Sequence, residues 1–271
     1  MNASTGDRND GEQRFAAGFS LVELLVVMAV LGVLAALLLP ALSRSRFSSK
    51  VTTCANNYRQ WGVATAVYAS DDGKSRLPSF PLPVEQTAQY ASIPPYWVAF
   101  EMVTSMAVHG VTVPMWFCPT RPSRFEVQRN NFRTLLGREL VTPADLVEER
   151  VRIRKGGFYA ADLMWWVPRR LGTSSLEFPD PTRMTTRLPD PWPRRMDDPM
   201  ISTQPIISDW YLGTWDDTRN TVELRNNSGG HQWAGSLKSI NVGFGDGHVD
   251  TRPKAKLQWR ARGRTPYTYV Y

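Results

Sequence analysis

The chain has 271 residues, 42% of them hydrophobic and 21% charged, with 20 Pro, 19 Gly and 2 Cys. That composition describes a folded, turn-rich protein and excludes a disordered, collagenous or disulfide-scaffold chain. The net charge of +7 permits an anionic partner, but the arginines are spread along the sequence, which points to solubility. Nucleic acid is not indicated.

Residues 1–18 are poor in apolar side chains and rich in Asn, Asp, Gly and Arg, so they read as a disordered cytoplasmic tail. The 24 residues from Phe19 to Leu42 reach about 36 Å as a helix, enough to cross a hydrocarbon core of about 30 Å. Leu, Val, Ala and Met fill every side, which favours a spanning helix over one lying on a surface. Glu23 is the exception. A carboxylate costs about 2.5–3.5 kcal/mol at the centre of a membrane helix and less near its end, and it seeks a cation. No Lys or Arg lies within the run, so the partner comes from elsewhere. Cleavage between Gly18 and Phe19 supplies one, an α-amino group of pKa about 8, and the amine of one chain can then meet the carboxylate of its neighbour. Arg44, Arg46 and Lys50 follow the run directly. By the positive-inside rule alone they would hold the following domain in the cytoplasm.

The segment Gly18-Phe19-Ser20-Leu21-Val22-Glu23-Leu24-Leu25 resembles the processing site of type IV pilins and type II secretion pseudopilins. The resemblance implies that a prepilin peptidase cuts after Gly18 and methylates Phe19, that Glu23 serves assembly, and that Pro40 loosens the helix as subunits join. It also implies a single-pass protein of the bacterial inner membrane with its C-terminal domain in the periplasm. This placement overrides the charge rule because the motif is the more specific signal. The implied partners are other pilin or pseudopilin subunits and the secretion or pilus assembly machinery. The expected organisation is a leader at 1–18, an assembly helix at 19–42 and a globular domain at 43–271. The expected fold is α+β and pilin-like, with a long N-terminal helix on an antiparallel sheet and loop-rich insertions.

Beyond Pro40, the residues Phe47, Val51, Cys54, Tyr58, Trp61, Thr65 and Tyr68 recur at spacings of four and three, which predicts one seam packed on the domain. Asp71-Asp72-Gly73 supplies a stop. A Pro-rich connection follows, then a helix at 96–108, then a short strand in VTVPMWFCP. In an oxidising periplasm Cys54 and Cys118 are candidates for a disulfide, with two buried thiols as the alternative. Residues 119–155 predict a charged helical insertion with Pro143 in a first turn, and 156–167 predict strand. The Arg-rich loop at 171–199 carries Trp192, which makes it a candidate polymer-binding face or a solvated loop.

Gln204–Trp210 predicts a buried strand carrying Asp209, followed by a turn-rich connection through Asp216, Asp217 and Ser228-Gly229-Gly230-His231. Ser239–Phe244 alternates apolar with small or polar residues, and Asp246-Gly247 predicts a type I′ hairpin turn into His248–Thr251. The run NVGFGDGHV after a His resembles the C-terminal motif of a pseudopilin-like group from planctomycete and verrucomicrobial bacteria, in which Cys54-Ala55-Asn56 and Cys118-Pro119 also have counterparts. The spacer from His231 to Asp246 is longer than that group's. Resemblance to pseudopilins further implies a structural Ca²⁺, with Asp209, Asp216, Asp217 and Asp246 as candidate ligands beside His231 and His248. The spacing fits no EF-hand or zinc motif, and no nucleophile, phosphate-loop or metalloprotease motif occurs. The expected function is therefore assembly without catalysis. The rivals are an anchored binding protein for an anionic polymer or polysaccharide, and an anchored enzyme using the Asp and His residues.

Overall fold

A helix, α1, runs from Leu21 to Asp71 with Pro40 inside it. Having no N–H, Pro40 cannot donate to the carbonyl one turn back, and the Ser43 hydroxyl donates to the Pro40 carbonyl at 2.9 Å. The computed structural model describes residues 20–83, 94–154, 158–170, 172, 177–178, 192–216, 221–262 and 267–270. Gly18, Phe19 and Asp217 lie outside these, as does most of the Arg-rich loop. The chain divides into two units, 1–46 and 47–271. In the first, every residue from Leu21 to Leu42 is exposed, and this part of α1 is long and apolar enough to cross a membrane.

In the second unit α1 becomes one-sided. Cys54, Tyr58, Trp61 and Thr65 are buried while Lys50, Asn56 and Arg59 are exposed, so the predicted seam is the packed face. The helix ends at Asp71, and Gly73 takes φ +65° just beyond. Asp72 then accepts Nε and Nη2 of Arg76, which lowers its carboxyl to about 2.

Trp97–Ala99 forms β1 and Phe100–Val108 forms α2. The expected helix at 96–108 thus begins late, because its aromatic first residues pair with β2 (Phe158–Ala160). The expected strand in VTVPMWFCP is instead a 3₁₀ turn at Val113–Trp116. Pro114 has no N–H for a ladder, and its fixed φ suits a first helical turn. The charged insertion forms α3, Pro122–Leu136, and α4, Pro143–Arg154. Helix α3 stops at Gly137, which at φ 69° returns its N–H to the Arg133 carbonyl. At the start of α4, Asp145 accepts the N–H groups of Val141 and Thr142 at 3.0 and 2.7 Å.

The remaining strands are β3 (Leu163–Trp165), β4 (Arg169–Arg170), β5 (Glu177–Phe178), β6 (Pro205–Asp209), β7 (Tyr211–Asp216), β8 (Thr221–Gly229), β9 (His231–Trp233), β10 (Ser236–Phe244), β11 (Val249–Pro253), β12 (Trp259–Arg262) and β13 (Tyr267–Val270). One antiparallel sheet has the order β11-β10-β6-β3 with β9 also on β10; a second is β12-β13-β7-β8. The chain is therefore α+β, a long N-terminal helix followed by antiparallel sheet. The expected turn-rich connection after Asp209 is mostly strand, and its Thr, Val and Leu residues suit the pleated ladder.

The central sheet is buried on both faces, which explains its alternation. In β3 and just after it, Leu163, Trp165 and Val167 join the cluster under α1, while Met164 and Trp166 join the opposite one. In β10, Ile240, Val242 and Phe244 also enter the opposite cluster. The intervening small or polar residues face α1: Asn241 Nδ2 donates to the Val51 carbonyl at 3.1 Å. A Cβ on Gly243 would meet Tyr58 Cβ at 3.3 Å. The β10–β11 hairpin forms as expected, but not with a type I′ turn, which needs positive φ at both central residues. Only Gly247 has one, +89°, with hydrogen bonds from Gly247 N to Phe244 O and from Phe244 N to His248 O. That is the three-residue form, a turn followed by a bulging glycine.

Arg169 closes the domain. Only 3% exposed, it donates to the carbonyls of Trp97, Trp165, Val167, Pro94 and Pro95 at 2.8–3.2 Å and lies 4.7 Å over the Phe178 ring.

Candidate functional site

Two places carry the chemistry. Beneath α1, Cys54 from its buried stripe meets Cys118, which follows the 3₁₀ turn, Asp209 at the end of β6, and His231 at the start of β9. All four are buried, and their potential donor atoms lie within 4.8 Å of one another. His231 is aimed inward by the Gly229-Gly230 corner. Gly229 takes φ +115°, and a Cβ there would fall 1.8 Å from the Trp210 carbonyl oxygen.

Asp209 is the hub. Its Oδ1 accepts the Cys54 thiol at 3.2 Å and the Tyr58 hydroxyl at 2.9 Å, and its Oδ2 accepts the Asn241 N–H at 2.6 Å. His231 Nε2 stands 2.9 Å from Oδ2, an ion pair when the ring is protonated, while its Nδ1 lies 3.0 Å from Ser239 Oγ. Burial pushes the Asp209 carboxyl up, but the facing imidazolium and the converging donors outweigh it and hold it at about 2. Burial likewise pushes His231 down, and the Asp209 charge overrides it to about 10. Hydrogen bonding with Cys54 is the main cause that lowers the Cys118 thiol to about 6, and the same bond with burial raises Cys54. Tyr58 is raised by burial and by the Asp209 charge.

The second place is the start of α1. Ser20 donates its backbone N–H to Glu23 Oε2 at 2.9 Å and Val22 donates its N–H to Ser20 Oγ at 3.2 Å, so Ser20 and Glu23 cap the helix reciprocally. Glu23 sits in the first turn, where the helix dipole favours an anion.

Residues 13–39 match the family model of the prokaryotic N-terminal methylation motif. The motif spans the expected cleavage point, Glu23 and the exposed apolar run, and supports a pilin- or pseudopilin-like protein that a prepilin peptidase processes. No curated protein matches the chain, and no solved structure does.

The other expected site residues separate. Cys54 and Cys118 do come together, as free thiols. The Asp and His residues proposed to gather at strand ends fall into different places: Asp209 and His231 are in the buried cluster, while Asp246 Oδ1 accepts from His248 N and approaches its Nδ1 at 2.6 Å on the exposed hairpin turn. Asp216 ends β7. Trp192 is also no surface platform: it is 1% exposed and stacks on Trp166 at 5.3 Å, so the polymer-binding reading loses its aromatic residue. Sequence reasoning missed Tyr58 and Asn241 as partners of Asp209. The polar Asn241 between Ile240 and Val242 was the available signal for the second.

Proposed function

We propose that this chain is a pilin-like subunit of a type II secretion pseudopilus or a type IV pilus-like filament, cut after Gly18, methylated on Phe19 and assembled through α1. The observation that carries this reading is the methylation motif at residues 13–39 placed at the head of an apolar helix whose residues 21–42 are all exposed. Such a surface is stable in lipid or against copies of itself, and not in water. The domain beyond residue 42 then stands in the periplasm, anchored by a single pass in the inner membrane, and the DGHV-bearing pseudopilin-like group is the finer family placement. Assembly pairs Glu23 with the new N-terminal amine of an adjacent subunit. No catalytic role is assigned.

Mass spectrometry of the protein isolated from its native membrane tests the processing step. The expected N-terminus is N-methylphenylalanine at Phe19, and an intact Met1 would refute it. Assembly is tested separately: Glu23→Ala is expected to be processed normally yet left out of sheared filaments.

A further inference from the structure

We propose that Cys54, Cys118, Asp209 and His231 form a binding site for a thiophilic divalent cation of the zinc type. This site is independent of filament assembly and stands whether or not that function holds. Four donors of the types that zinc takes, two sulfurs, one imidazole nitrogen and one carboxylate oxygen, converge within 4.8 Å. Metal–ligand bonds of about 2.0–2.3 Å place tetrahedral donors about 3.3–3.8 Å apart. Cys54 Sγ and Asp209 Oδ1 at 3.2 Å and His231 Nε2 and Asp209 Oδ2 at 2.9 Å would open by a few tenths of an ångström to admit an ion, and any separation near the 4.8 Å limit would close by about 1 Å.

The burial of the group points the same way. His231 is fully buried and its Nε2 faces the Asp209 carboxylate at 2.9 Å, so two thiols, an imidazole and a carboxylate are shut away from water together, a donor set that one cation would satisfy. The surrounding shell is already built. Ser239 Oγ, 3.0 Å from Nδ1, can accept its proton and fix the tautomer that turns the Nε2 lone pair inward. Tyr58 and the Asn241 N–H hold the Asp209 carboxylate. The donors come from a helix, a 3₁₀ exit and two strands, so the folded domain positions them before any ion arrives. Two thiol ligands favour zinc or copper(I) over the calcium that oxygen ligands alone would select. On binding, the thiols and the His231 ring release to solvent whatever protons they carry on the ligating atoms, so that the ion takes two thiolates, a neutral imidazole nitrogen and the carboxylate.

The test uses the full chain in detergent, reduced, stripped with a chelator and titrated with cobalt(II) alone. One equivalent is expected to bind and to give thiolate-to-cobalt charge-transfer absorption with tetrahedral visible bands, which zinc then bleaches. Tyr58→Phe, which spares every donor, should weaken cobalt binding about tenfold or more, and Cys118→Ser should remove most of the charge-transfer intensity. If Cys118→Ser does not fold, the wild-type titration still decides. Folded protein whose two thiols both react after denaturation, yet which shows no charge-transfer band, overturns the proposal. So does a Cys54–Cys118 disulfide in the protein as isolated from the native periplasm.

Discussion

Replacing Arg169 with Lys keeps the charge and most of the length, so any loss must come from hydrogen-bonding geometry. The guanidinium now serves five carbonyls, with Nη2 and Nε both on Trp97 and Nη1 shared between Trp165 and Val167. An ammonium has three N–H groups at a single point, so at least two of the five lose their donor. Pro94 and Pro95 are cheap to release, because their carbonyls also accept the N–H groups of Trp97 and Trp165. Val167 and Trp165 are dearer. At roughly 1–3 kcal/mol per buried group left unmade, and with the guanidinium's contact over the Phe178 ring lost, Arg169→Lys should cost about 3–5 kcal/mol, a large share of a typical domain's 5–15 kcal/mol. Urea unfolding of the full chain in detergent, followed by tryptophan fluorescence, measures this as a lower midpoint with unchanged slope. Arg59→Lys, on the exposed face of α1, serves as the control and should stay within about 0.5 kcal/mol. If Arg169→Lys also stays within that range, the carbonyl-binding argument is wrong.

Gly62→Ala should destabilise by about 1–3 kcal/mol in thermal melts, although helix propensity alone favours Ala by about 1 kcal/mol, because the new Cβ would stand 3.0 Å from Gly247 Cα. Neither core cluster contains a residue before Cys54, so removing residues 1–42 should leave the melting temperature unchanged and abolish the need for detergent. Asp145 is pushed up by burial but held down more strongly by the Thr142 and Val141 N–H groups and by Arg138. Its folded pKa is therefore depressed: the stability it contributes is present above the ordinary carboxylate range and is lost as pH falls through the folded value. The melting-temperature gap between wild type and Asp145→Asn should accordingly be open at pH 7 and close as the pH falls below about 4.

The long helix, its seam and the last hairpin were legible because each is written in local periodicity. Phe47 to Tyr68 repeats every three or four residues, and Ser239 to Phe244 alternates because β10 is apolar toward one cluster and small or polar toward α1. Elements whose propensity is overridden by partners were read less well. Trp97–Ala99 looks helical until β2 is there to pair with it, and Trp192 looks exposed because its sequence neighbours are Arg, Asp and Pro. The buried cluster was half legible: the cysteines paired off as the two outside the apolar run, and Asp209 and His231 were both flagged. Their meeting was not, since Cys54 and Asp209 are 155 residues apart and no linear spacing encodes a site drawn from four elements.

At one point where α1 meets the last hairpin, no side chain lies between them. Gly62 lies against Gly247 and the Phe244 carbonyl, so there backbone rides on backbone. Long side chains bend and rotate under load, but a main chain in van der Waals contact does not. Tension along the helix would pass directly into strand β10 and its turn, and the domain would give way as a block instead of slipping along the rod that carries it.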